Sequence, residues 1–176
     1  MVFITRKALQ IFKMLKVNIK KEKNLVDILT IIIGVLGLIV LISLPLFYFD
    51  NLPERIPIHF GINGQPDGFG DKGMIWLLPI IGVAMYFGLF WLNKFPHLFN
   101  YSQQITEENA ERLYRINTRM IRTLNAIISC VFAYINYSII QSALGKQNGL
   151  GAWFFLVFIL LIFGTIGYFL YKTHKN

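Results

Sequence analysis

Four long apolar runs constrain this 176-residue chain more than any other feature. They span residues 25–49, 73–92, 123–144 and 151–171, and Asp27, near the start of the first, is the one charged residue in them. A helix needs about 20 predominantly apolar residues to cross the hydrocarbon core of a bilayer. Lipid offers no partner for a backbone N–H or C=O, so each run must satisfy those groups internally, as a helix. The expected fold class is an all-α membrane protein with four transmembrane helices. Trp76, Trp91, Trp153, Tyr48, Tyr168 and Tyr171 stand near the ends of the runs, where amphipathic rings favour the headgroup level. The first run begins after more than twenty residues and ends without a small-residue cleavage site, which excludes a signal peptide.

Charge sets the expected orientation. Of the 17 lysines and arginines, fourteen lie before the first run, between the second and third, or after the fourth. Only Arg55, Lys72 and Lys146 lie in the other two connections. The positive-inside rule then places both termini and the middle connection in the cytoplasm, with residues 50–72 as an outer loop. The chain is expected in the bacterial cytoplasmic membrane as a multi-pass protein. The net charge of +8 is accounted for by this topology and by anionic lipid headgroups, so nucleic acid is not needed as a partner. One cysteine excludes a disulfide scaffold and a cysteine-rich zinc site.

Two cytoplasmic segments carry helical patterns. Residues 1–24 form a basic interfacial segment, with Ala8, Phe12, Leu15 and Ile19 on one stripe and Lys13, Lys16 and Lys20 elsewhere. A basic tail that merely fixes topology is the alternative. Residues 106–122 predict a helix with Thr106 as N-cap and Glu107 and Glu108 in its first turn. No Pro or Gly interrupts 106–143, so this helix is expected to continue into the third span. Leu113, Ile116, Met120 and Leu124 form its apolar stripe; Arg112, Arg115, Arg119 and Arg122 form a separate one, read as a solvated face. Within the membrane, Asn125, Ser129, Ala133 and Asn136 recur on one face of the third helix. Such a stripe should face other helices, as interhelical glue or as part of a polar pathway, within a bundle or a homo-oligomer. Gly34, Gly37, Gly164 and Gly167 allow close approach of backbones. No Asp, Glu, Lys, Arg or His lies in the middle of a span, which argues against an ion pump or proton relay.

The outer loop is rich in Pro and Gly and should be an ordered cap. Pro57 holds Ile56 extended, so 56–60 reads as a short edge strand. Asn63-Gly64 is a turn pair, and Gln65-Pro66-Asp67-Gly68 reads as a second turn. His59, Asn63, Gly64, Asp67, Asp71 and Lys72 are the candidate ligand- or partner-binding residues, with Lys146 and Asn148 of the other outer loop as neighbours. Imidazole beside carboxylates suits a divalent metal or acid–base chemistry. A single histidine without a second at ligand spacing makes no metal motif, however, and no cofactor or nucleophile motif is present. The competing reading has His59 and Asp67 supporting turns and Lys72 snorkelling to headgroups.

Leu52, Pro53, Ile56, Pro57, His59 and Phe60, then Asn63, Gly64, Pro66, Asp67, Gly68, Gly70 and Lys72, follow a specific order and spacing. This pattern resembles a bacterial membrane domain of unknown function that also forms the N-terminal part of the Sdp immunity protein family. Residues 96–100 and 105–112 resemble shorter members of the same group. The resemblance implies protection against a secreted toxin, or a signalling role. The immunity proteins have further spanning helices, where this chain has four runs. Three function classes stand: a non-enzymatic protein whose outer cap recognises an extracytoplasmic peptide or membrane-protein partner, a transporter or channel component, and an outer-interface enzyme using His59.

Overall fold

The computed structural model describes residues 23–175. The interfacial stripe expected at 8–19 lies outside the described residues. Four helices follow in order: α1 (Leu25–Tyr48), α2 (Leu77–Leu92), α3 (Ala110–Ala143) and α4 (Phe154–His174). All four are long and apolar enough, with their flanking turns, to cross a membrane. An antiparallel hairpin, β1 (Arg55–Phe60) and β2 (Pro66–Asp71), joins α1 to α2. The fold is therefore helical except for this hairpin, among the described residues.

Helix α3 is the hub. Half of its most apolar stretch is buried inside the protein, against 6% for α4, whose outward side chains are open. Its 34 residues would extend about 50 Å at 1.5 Å per residue, well beyond a hydrocarbon core of about 30 Å. The surplus projects at the end of the bundle that carries residues 23 and 175, as the unbroken sequence from 106 predicts. The regular α-helix begins at Ala110, and Thr106 caps it as expected: Thr106 and Asn109 bond each other reciprocally as a capping box, and the Ala110 N–H donates to the Thr106 carbonyl at 3.0 Å.

Close packing in the membrane rests on small residues. A Cβ added at Gly34 would lie 3.3 Å from Ala126 Cα, and one at Gly37 would lie 3.0 Å from the Cys130 nitrogen. These glycines let α1 lie against α3. Gly164 and Gly167 do not play this part: nothing lies within 4 Å of a Cβ at either, so they face open space. The sequence gives equal spacing to both pairs, and only the first has a helix opposite.

The polar stripe turns inward. Asn125 Nδ2 donates to the Tyr86 carbonyl of α2 at 3.1 Å, and Asn136 Nδ2 donates to the Leu41 carbonyl of α1 at 3.2 Å. Ser129 bonds back to the Asn125 carbonyl of its own helix. The Leu41 contact has a particular cause. Pro45 lies four residues on, inside α1, and has no N–H to give to that carbonyl. A carbonyl stripped of its helical partner in an apolar interior is costly. Asn136 supplies the missing donor. Asn136→Leu is accordingly expected to destabilise the protein by about 1–2 kcal/mol. In a Pro45→Ala background the restored backbone N–H should remove most of that loss, as read from unfolding midpoints in mild detergent. Equal losses in both backgrounds would reject this account.

The arginine stripe of α3 is not a solvated face. Arg112 Nη1 reaches the Thr173 and Lys175 carbonyls at 3.3 and 2.9 Å, capping the C-terminus of α4. That position favours a cation, since the terminal carbonyls there lack helical donors. Arg119 and Arg122 reach α1 instead, leaving Arg115 as the exposed member of the four. The buried face rotates with them: Leu113, Tyr114 and Asn117 are buried, whereas Ile116, Met120 and Leu124 are half-buried. The connection from α2 to α3 folds onto the same end. Tyr101 donates to the Pro96 carbonyl at 2.7 Å and packs against the Tyr114 ring, and burial pushes its hydroxyl pKa up.

Candidate functional site

The hairpin stands over the bundle end opposite residues 23 and 175. Its strand β1 covers the expected strand, and its tip turns at Asn63-Gly64 as expected. Gly64 has φ +77°, a conformation glycine adopts without a Cβ clash. The Asn63 side chain accepts the Gln65 N–H at 3.0 Å, which closes the turn. The second turn expected at Gln65–Gly68 is instead the start of β2. One reversal at Asn63-Gly64 already sends the chain back along β1, so the following residues find ladder partners. Pro66 sits at the first position of its strand, where the absent donor is tolerated.

Pairing runs Arg55–Asp71, Ile56–Gly70, Pro57–Phe69, His59–Gly68 and Phe60–Pro66, so Ile58 and Asp67 each form an irregularity. Such bulges break strict alternation and re-aim side chains. Ile56 is fully buried with Leu52, Ile75, Ile139 and Ile140, which seats the cap on the end of α3. His59 and Asp67 are directed the other way. Their side chains meet through Nδ1 and Oδ1 on the exposed surface. Gly68 makes this possible, because a Cβ there would lie 2.9 Å from the His59 Cβ.

The other candidate residues serve the cap itself. Asp71 accepts the Gly73 N–H at 2.7 Å and caps the 3-10 turn Lys72–Trp76 that leads into α2. Lys72 bonds Glu54 at 2.8 Å and lies 5.5 Å from the centre of the Phe49 ring. Gly64 docks the tip on the loop between α3 and α4: its carbonyl accepts the Leu150 N–H at 2.8 Å. That loop is itself tied down by Gly149 N–H to Ser142 and by Tyr134 to the Leu150 carbonyl. Lys146 and Asn148 are exposed, and contact between this loop and the hairpin runs through Gly64, Gly149 and Gly151. The structure thus brings His59 and Asp67 together and assigns Asn63, Gly64, Asp71 and Lys72 to the frame beneath them. On the same hairpin Ile58 and Phe69 are exposed, and Ile62 at the tip is 90% exposed.

A second polar centre lies at the other end of the bundle. Asp27, 2% exposed, accepts from Arg119 Nε at 2.9 Å, Arg119 Nη2 at 3.0 Å and Arg122 Nη2 at 3.1 Å. It also completes a capping box with Asn24 at the start of α1. The bidentate fork of Arg119 suits a carboxylate. The sequence signal was present: an aspartate in the first turn of an apolar run requires a cation, and Arg119 and Arg122 are three apart on one helix. Which arginines meet Asp27 depended on how α1 and α3 pack. Asn125 and Asn136 remain within the helix contacts described above.

Comparison with known proteins gives a relative without an assigned activity. An uncharacterised protein of Archaeoglobus fulgidus is 28% identical over 132 residues, covering 66% of this chain and 71% of its own length. No solved structure matches. Residues 28–83, which comprise nearly all of α1, the whole hairpin and the first part of α2, match the family model described as Domain of unknown function (DUF1648).

Proposed function

We propose that this chain is a non-catalytic, multi-pass membrane protein whose outer cap recognises an extracytoplasmic peptide or membrane-protein partner. The observation that carries the reading is the division of labour in the hairpin. Four candidate residues hold the cap in place, while the His59–Asp67 pair stands exposed on a hairpin that also exposes Ile58, Ile62 and Phe69. An ordered hairpin presenting both apolar side chains and a polar pair has the make-up of a recognition surface, since prior ordering lowers the entropic cost of binding. The distribution of Lys and Arg supports the outward direction of the cap. The resemblance to the Sdp immunity proteins supports a role of the immunity or signalling type.

The reading is tested with a photo-crosslinking amino acid at Ile62 in cells that express the chain natively, beside one at the lipid-facing Leu161. Position 62 should give a discrete adduct with an extracytoplasmic protein or peptide, and position 161 should not. His59→Ala with Asp67→Ala should reduce the adduct about tenfold at unchanged membrane levels, the loss expected for a charge-assisted contact. Absence of any adduct at 62, or an adduct indifferent to the pair, rejects the reading.

A further inference from the structure

Pairing within the hairpin fixes which backbone groups of β2 serve β1. Pro57 has no N–H, so its pairing with Phe69 is of the kind in which the two facing residues share no bond. The Lys72 N–H, bonded to the Glu54 carbonyl at 3.0 Å, keeps the same alternation past Arg55 and Asp71. Facing pairs in an antiparallel ladder are bonded at every second position, so the backbone groups of Phe69 and Asp71 turn away from β1. Among the described residues no third strand meets them: the sheet has two strands, and β1 is the one that packs on α3. Arg55 Nη2 donates to the Phe69 carbonyl at 3.0 Å, so a side chain engages that one acceptor. The N–H groups of Phe69 and Asp71 stay on the free edge.

A free strand edge is a template for pairing, and edges that must stay single are blunted by proline, bulges or lysine. Here the proline and the bulge, at Pro66 and Asp67, stand at the tip end of β2. The stretch from Gly68 to Asp71 has neither, and no lysine. Charge then specifies the partner. The chain is basic overall, yet residues 50–72 hold Asp50, Glu54, Asp67 and Asp71 against Arg55 and Lys72, and Lys72 is already bonded to Glu54. Asp67 and Asp71 flank Phe69, and all three are exposed positions of β2. Opposite charges and apolar pairs on neighbouring strands each stabilise a sheet. We propose that the Phe69–Asp71 edge of β2 accepts, as a third strand, an extended peptide segment with basic residues on either side of an apolar one. This rests on the recognition reading above and specifies the partner's shape and charge. Main-chain bonds hold such a strand, and its alternate side chains select it. Arg55 yields the Phe69 carbonyl to an N–H of the incoming strand.

The test uses the full chain in phosphatidylcholine nanodiscs and two end-blocked synthetic peptides, Lys-Thr-Val-Thr-Lys and Glu-Thr-Val-Thr-Glu. The lysine peptide should slow amide exchange at Phe69 and Asp71 saturably, and the glutamate peptide should not. A lysine peptide methylated on its backbone nitrogens should also fail, because it keeps the charge and loses the donors. Phe69→Pro removes an N–H that β1 does not use, whereas Phe69→Ala removes the same ring and keeps the N–H. Phe69→Pro should bind the lysine peptide about fivefold more weakly than Phe69→Ala, the loss of one hydrogen bond, with exchange at Ile56 and Gly70 unchanged. No protection by the lysine peptide, equal protection by the glutamate or methylated one, or equal affinity in the two variants would overturn the proposal. The same substitution separates this proposal from the reading beneath it. An adduct at position 62 that Phe69→Pro leaves unchanged rejects edge pairing and keeps recognition by the cap; absence of any adduct rejects both.

Discussion

Replacing Asp27 with alanine is expected to destabilise the protein by about 3 kcal/mol, the lower part of the range for breaking a buried ion pair. The carboxylate is nearly inaccessible and answers two guanidinium groups at 2.9 and 3.1 Å. Removing it leaves Arg119 and Arg122 facing each other without a counter-charge and dissolves the capping box at the start of α1. The loss is held to the lower part of the range because the Arg119 side chain is 26% exposed, and water partly screens it. Asp27→Asn should fall between, since it keeps the shape and one acceptor oxygen but loses the charge and sets an amide N–H where the second oxygen accepted from Arg119. The triple variant Asp27→Leu, Arg119→Leu and Arg122→Leu should recover a substantial part of the loss, because replacing all three members leaves no ion to desolvate. Unfolding midpoints in detergent measure all three proteins. A wild-type midpoint for Asp27→Ala, or a triple variant no better than Asp27→Ala, would show that the cluster does not tie α1 to α3.

Gly149→Ala should have the largest effect on the cap. The residue has φ +86°, and an added Cβ would lie 2.0 Å from the Gly64 carbonyl oxygen. Backbone strain in this region alone costs about 1–2 kcal/mol for a residue with a Cβ. The clash is with backbone, so it cannot be relieved by turning a side chain. The loop between α3 and α4 and the hairpin tip must separate, breaking the bond from Leu150 N–H to Gly64. Gly145→Ala provides the control: its φ is +69°, yet nothing lies within 4 Å of its Cβ. Both variants carry strain, but only Gly149→Ala should release the cap. Amide exchange at residues 61–65 should quicken at least tenfold in Gly149→Ala and stay near wild type in Gly145→Ala. The same behaviour in both variants would show that docking of the tip contributes nothing to cap order. Since recognition by the cap requires a rigid platform, Gly149→Ala should also weaken the adduct at position 62.

The spanning helices were legible because their cause is local. A run of about 20 apolar residues in lipid has one way to satisfy its backbone, whatever its neighbours do. The turn at Asn63-Gly64 was legible for the same reason, as backbone conformation is a property of those two residues. The continuity of α3 followed from the absence of Pro and Gly between 106 and 143. Its N-terminus was legible too, because Thr106 caps the first turn through its reciprocal bonds with Asn109.

What tertiary structure decided was partnership. Periodicity showed that four arginines share a stripe, but not that Arg112 would cap α4 while Arg119 and Arg122 meet Asp27. Glycine spacing is the same in α1 and α4, and only Gly34 and Gly37 have α3 against them. Pro45 and Asn136 are 91 positions apart, so no local pattern links the carbonyl that one strips of its donor to the amide that supplies another. The same holds on the cap: six residues of similar character divide into four that build it and two that it displays. Local chemistry determines which groups need a partner; the packing of distant segments determines which partner each one receives.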